Sequence, residues 1–170
     1  MNELSIEYNF HHGAYVSIEC GDKNQVFEVS FFDKDNNSVI YSDSIKSGQW
    51  CAPYKKEYVN WVIKIMRNGV VVLNESLSLE NASVYIGIEY NSLDDVLYAI
   101  ARAREFSRIH KCNIFISTKM NQRVSKIYLN EYFIEKLDYT KFDYMTSYII
   151  EDNEIDSKLN INRTLGLENS

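Results

Sequence analysis

The spacing of apolar residues changes near residue 80. Before it, hydrophobic side chains come in short runs, several with a period of two. In Gln25–Phe32, Val26, Glu28 and Ser30 alternate with Phe27, Val29 and Phe31. That alternation puts apolar side chains on one face of a half-buried strand. Leu4–Phe10, Ala14–Cys20 and Ser38–Asp43 carry the same β-branched and aromatic residues. Turn-forming residues separate the runs at His12-Gly13, Cys20-Gly21-Asp22 and Asp33–Asn37. Tyr58–Met66 and Val70–Glu75 flank Arg67-Asn68-Gly69. Asn-Gly between two apolar runs signals a tight hairpin, because both residues tolerate positive φ. About six short strands predict a small antiparallel barrel or sandwich over residues 1–80.

Beyond residue 80 the period lengthens. Val84–Glu89 reads as an apolar strand. Leu93, Val96, Leu97, Ile100 and Ala103 then recur at helical spacing, with Arg102, Glu105 and Arg108 toward the other side. Cys112–Ser117, Phe133–Leu137 and Met145–Ile150 read as further strands. Gln122–Leu129 and Ser157–Leu165 read as helices, the latter with Gly166 as its C-cap. Strand and helix in alternation predict βαβ units and a mainly parallel sheet. No internal repeat is present.

Composition narrows the classes. At 170 residues the chain holds one domain or two small ones. Its 45% apolar content, with 6 Gly and 1 Pro, supplies a core and excludes disordered and low-complexity classes. The net charge of −6 comes without any basic cluster, which disfavours nucleic acid as a partner. The longest clean apolar runs are short, such as Val70-Val71-Val72-Leu73, so no membrane span is expected. The N-terminus lacks the cationic and apolar regions of a signal peptide. Cys20, Cys51 and Cys112 are widely separated and have no metal-ligand spacing. Reduced thiols and a cytoplasmic location are expected. GxGxxG and GxxxxGK are absent, and no cofactor is expected.

Several segments, in order, resemble one family. They are Phe31–Asp35, Val39–Ile45, Gln49-Trp50, Lys55–Ile65, Val84–Ile88, Ser92–Asp95, Arg104–Phe106, His110–Asn113, Ile116–Thr118 and Leu165–Glu168. Together they look like the N-terminal β domain and first lobe of autotransporter-type protein O-heptosyltransferases. The resemblance implies a GT-B glycosyltransferase, in which two Rossmann-like lobes face each other. The first lobe binds acceptor and supplies a base; the second binds the sugar-nucleotide. This chain would match the accessory β domain and the first lobe, with the donor lobe and the family's iron-binding cysteine cluster missing after Ser170. The expected fold class is α/β (α+β overall). A small antiparallel β domain at 1–80 precedes a half-Rossmann-like domain with a mainly parallel sheet at 81–170.

The family carries Ser-Leu-Gly-Asp at the start of its first helix, with the Asp as proposed general base. The matching residues are Ser92-Leu93-Asp94-Asp95. Asp95 falls on the base position, and Ser92 and Asp94 become candidate substrate-binding residues. Asp94 stands where the family has glycine, adding bulk and a like charge. A structural role competes. Ser92-x-x-Asp95 has the form of a capping box, and both acidic residues complement the positive end of the helix dipole.

Other candidates are weaker. His11 and His12 are adjacent on an extended turn, so their side chains point apart. His110 ends the long helix, where a cation suits the dipole. Cys112 opens a strand and has no activating His motif. Trp50, Trp61 and the tyrosines can make a sugar-stacking surface or fill a core and interfaces. Two functions follow. One is a truncated, non-catalytic glycosyltransferase-like partner or regulator in protein or cell-envelope glycosylation. The other is the acceptor-side half of a split or longer heptosyltransferase-like enzyme using Asp95 as base. Partners would be further copies of the chain, a glycosyltransferase chain or a protein acceptor.

Overall fold

The alternation in Gln25–Phe32 becomes the central strand of the molecule's first half. A computed structural model describes residues 4–11, 13–53, 58–88, 92–120, 124, 132–133, 141–148, 162 and 165–167. The chain divides into two compact units, Met1–Lys55 with Val59–Ser78, and Lys56–Tyr58 with Leu79–Ser170.

In the first unit, β1 (Ser5–Asn9), β2 (Tyr15–Glu19) and β5 (Gln49–Cys51) form an antiparallel sheet in the order β1-β2-β5. A second antiparallel sheet has the order β4-β3-β6-β7. It comprises β3 (Val26–Asp33), β4 (Ser38–Lys46), β6 (Trp61–Arg67) and β7 (Val70–Ser76). Phe27, Val29 and Phe31 are fully buried, as are Trp61, Ile63 and Ile65 on β6. The register sets Val29 opposite Ile65 and Phe31 opposite Ile63, so period-two residues meet across strands on one face. Val16 and Ile18 of β2 are buried in the same way.

The β6–β7 turn has the expected chemistry. Asn68 and Gly69 both have positive φ, 51° and 77°, as a type I′ hairpin turn requires. Two expectations are revised. β5 has no counterpart in the sequence pattern, because three residues are too few to show a period. It forms where the Gly48 amide donates to the Ile18 carbonyl at 2.8 Å. β6 begins at Trp61 rather than Tyr58, and Tyr58 belongs to the second unit.

The second unit contains β8 (Ser83–Ile88), α1 (Leu93–His110), β9 (Asn113–Thr118), β10 (Tyr132–Phe133) and β11 (Tyr144–Tyr148). The sheet order is β10-β9-β8-β11, and every pairing is parallel. The molecule is thus α/β, with antiparallel sheets followed by a parallel sheet and helix. At the amino end of the sheet, Ser83 and Asp143 are tied twice. The Ser83 amide donates to Asp143 Oδ2 at 2.7 Å, and the Asp143 amide donates to the Ser83 carbonyl at 2.8 Å.

α1 buries Val96, Ala99, Ile100, Ala103 and Phe106. Leu93 and Leu97, expected on that stripe, are half-buried. Arg102, expected toward solvent, is half-buried, and its guanidinium donates to the Leu167 carbonyl at 3.2 Å. Gly166 has φ +64°, and the Leu167 amide donates to the Asn162 carbonyl at 2.8 Å, the bond pattern of a glycine-capped helix end. The expected helices over 122–129 and 157–165 otherwise lie outside the described residues. So do His12 and the strand ends at 134–137 and 149–150. No described helix is long and apolar enough to cross a membrane.

All three cysteines are buried and unbridged. Burial pushes the Cys112 thiol up to about 11, and burial followed by Asp43 does the same for Cys51.

Two predictions follow from this packing. Gly69→Ala has open space around the new Cβ and only a backbone penalty, about 1–2 kcal/mol. Gly166→Ala combines positive φ with a contact 3.2 Å from the Tyr58 ring, and should shift the urea midpoint further. For pH, the unfolded thiols lose their protons near 9.0 and the folded ones near 11. The native state therefore holds more protons between these values, so stability should fall as pH rises from 9.0 toward 11. Urea titrations across that range, repeated on Cys51→Ala and Cys112→Ala variants, measure the slope. Removing both thiols should reduce it, and the slope left above pH 10.0 belongs to Tyr144, whose hydroxyl burial holds protonated in the folded state.

Candidate functional site

Strand order decides where a site can form in the second unit. From β8 the chain passes through α1 to β9 on one side, whereas β11 joins the opposite edge of β8. At such a reversal, connections leave in opposite directions and a crevice opens at the carboxyl ends of the strands. Ile88 and Tyr148 are the last residues of β8 and β11, and they are register partners. On the other side Ile88 pairs with Thr118, the last residue of β9.

Ser92, Asp94 and Asp95 come together at this end, in the first turn of α1. Ser92 is the N-cap, with extended backbone at φ −92° and ψ 132°. Its carbonyl accepts the Val96 amide at 3.1 Å. Its side chain makes no cap hydrogen bond, so the capping box expected from Ser92-x-x-Asp95 is not formed from the serine side. Ser92 and Asp94 are exposed, whereas Asp95 is half-buried. The turn is acidic, so anionic phosphates would be repelled there despite the helix N-terminus. A neutral hydroxyl suits it better, because a carboxylate can accept a hydroxyl proton.

Thr118 is a polar residue at this end that falls within the Ile116–Thr118 segment of the family resemblance, which assigns it no role. It is buried, and its Oγ1 accepts the Met120 amide at 3.3 Å.

The remaining candidates lie elsewhere. His110 is at the far end of α1, a helix of 18 residues and about 27 Å. It packs among Tyr58 and Phe106, with the Tyr58 hydroxyl 3.5 Å from its Nδ1. The His11 amide donates to Asn9 Oδ1 at 3.3 Å. Cys112 is buried, and its raised pKa keeps the thiol protonated at neutral pH, as suits a packing residue. Trp61 is core rather than surface, while Trp50 is exposed and stacked on Tyr15. No group of three or more His, Cys, Asp or Glu among the described residues is arranged to hold a metal ion.

Comparison with known proteins bears on the fold that carries these residues. No family model matches the chain. Autotransporter heptosyltransferase TibC of Escherichia coli O78:H11 is 29% identical over 112 residues, 65% of this chain and 26% of the relative. Autotransporter heptosyltransferase BAHTCr of Citrobacter rodentium gives the same identity and coverage. The match thus spans 26% of the length of these curated relatives. The crystal structure of TibC is described as an iron-containing dodecameric glycosyltransferase from enterotoxigenic E. coli. It matches with a TM-score of 0.77 at 21% identity, covering 96% of this chain and 46% of that one. TibC in complex with ADP-D-β-D-heptose matches at 0.75. Over 65% of its length the chain is homologous to the autotransporter heptosyltransferases, and it has the fold of the part of TibC that it covers.

Proposed function

We propose that this chain is the acceptor-side half of a heptosyltransferase-like glycosyltransferase, with Asp95 as general base. One observation carries the reading. Of the candidate residues in the first turn of α1, Asp95 is partly withdrawn from solvent, whereas Ser92 and Asp94 face it. An exposed Asp94 has its charge screened by water and salt, so the departure from glycine leaves Asp95 able to work. In the reaction, an acceptor hydroxyl attacks the anomeric carbon of a nucleotide-activated heptose. The hydroxyl proton passes to the Asp95 carboxylate, and the nucleoside diphosphate leaves. The acidic turn does not suit the nucleotide, which belongs on a donor-binding lobe outside these residues. ADP-D-β-D-heptose as donor is supported by the TibC complex, and self-association by the dodecameric state of TibC.

A second reading is a non-catalytic partner of a glycosyltransferase. It is favoured by the place of Asp95 in the first helical turn, where a carboxylate stabilises the helix by itself.

The test is heptose transfer from ADP-D-β-D-heptose to an autotransporter acceptor by the chain together with a donor-binding lobe. Asp95→Asn should reduce transfer about 100- to 10,000-fold while leaving the thermal midpoint nearly unchanged. Asp94→Gly should keep activity. Wild-type transfer by Asp95→Asn, with a lowered midpoint, would assign Asp95 to the helix cap, whereas no transfer by the wild-type chain with the donor-binding lobe would support the non-catalytic partner.

A further inference from the structure

We infer that the outer face of the β1-β2-β5 sheet carries a binding cleft for a neutral saccharide, built on Trp50. This rests on the first unit alone and is independent of the role of Asp95. Along β2, Val16 and Ile18 are buried, so Tyr15, Ser17 and Glu19 occupy the opposite face. The register sets Asn9 of β1 opposite Tyr15 and Trp50 of β5 opposite Ser17. Trp50 is therefore the diagonal neighbour of Tyr15 on that face, within reach of an aromatic ring. Their rings stack with centroids 6.0 Å apart and planes 25° apart. Trp50 nevertheless remains 56% exposed. A cleft of about 280 Å³ opens beside the pair, lined also by Asn9, Gly13, Ala14, Ala52 and Pro53.

The lining selects the chemistry. Small residues make the hollow, and an exposed indole gives it a flat apolar wall. Polar groups sit at its edge. Asn9 Oδ1 is engaged by the His11 amide, leaving the carboxamide N–H groups as donors, and Tyr15 adds a hydroxyl. A pyranose has the matching shape, an apolar C–H face ringed by hydroxyls. Charge narrows the choice further. Among the described residues, the lining includes no lysine or arginine. The same outer face carries Glu7 and Glu19, the latter paired with Lys23. Phosphorylated or acidic ligands are thus repelled, and a neutral sugar is not.

The chain's only other tryptophan, Trp61, is fully buried, so collisional quenching of tryptophan emission reports on Trp50. Methyl β-D-glucopyranoside and methyl α-D-mannopyranoside are titrated against acrylamide quenching of the full chain, with adenosine and inorganic phosphate as controls. The expected result is protection by at least one glycoside and none by adenosine or phosphate. Binding to the tryptophan variants is read by saturation-transfer NMR. Trp50→Ala should weaken glycoside binding about tenfold or more, with Trp50→Phe retaining part of it. Asn9→Ala should weaken it less. Both positions are exposed, so circular dichroism should show the fold unchanged. Absence of protection by either glycoside overturns the proposal. So does equal protection by adenosine, or wild-type affinity in Trp50→Ala.

Discussion

Parallel strands cannot be joined by a tight turn, and this constraint organises the second unit. β8 and β9 lie side by side and run the same way, so the chain between them must travel back along the sheet. The return is α1, whose stripe from Val96 to Phe106 covers the sheet with apolar surface. Its first turn must therefore lie at the carboxyl end of β8 and its last turn at the amino end of β9. Asp95 and His110 are separated by that requirement alone. The acidic turn lies at the carboxyl end of β8, and the histidine belongs to an aromatic cluster with Tyr58 and Phe106.

The first unit obeys a different rule. In its antiparallel sheets each strand has an inner and an outer face, and alternation assigns every side chain to one of them. Phe31 and Trp61 are inside and meet edge to face, with centroids 6.4 Å apart. Trp50 is outside. Two chemically identical residues thus have opposite fates, decided by their phase in the pleat.

Much of this was legible in the sequence. Asn68-Gly69 announces its turn because positive φ at consecutive positions is costly for most other residues. The strand over 26–33 and the helix from Leu93 are legible because their periods persist long enough to be counted. The family likeness was also readable, through short ordered segments. β5 was not readable, because its pairing comes from the β4–β5 turn and from Ile18 rather than from its own residues. Arg102 was misplaced because its partner, the Leu167 carbonyl, lies 65 positions away and leaves no local trace. At the candidate site, the acidic turn could be located, but not the contrast between exposed Asp94 and half-buried Asp95. That contrast depends on what packs around α1, not on the turn itself.

The junction between α1 and β9 has a consequence for how this architecture can vary. Lys111 adopts left-handed backbone at φ 52°, the Cys112 amide donates to the Ser107 carbonyl, and Ser107 Oγ donates to the Cys112 carbonyl at 2.6 Å. Helix and strand are thereby joined with almost no slack. One added residue here would rotate β9 by half a pleat, turning Ile116 and Thr118 away from the positions they now occupy. Residues 34–37, by contrast, form an exposed loop between β3 and β4 that can lengthen outward while both strands keep their places. Length changes across homologues should therefore collect at the turns of the first unit, while the distance from Ser92 to Thr118 stays constant like the teeth of a gear.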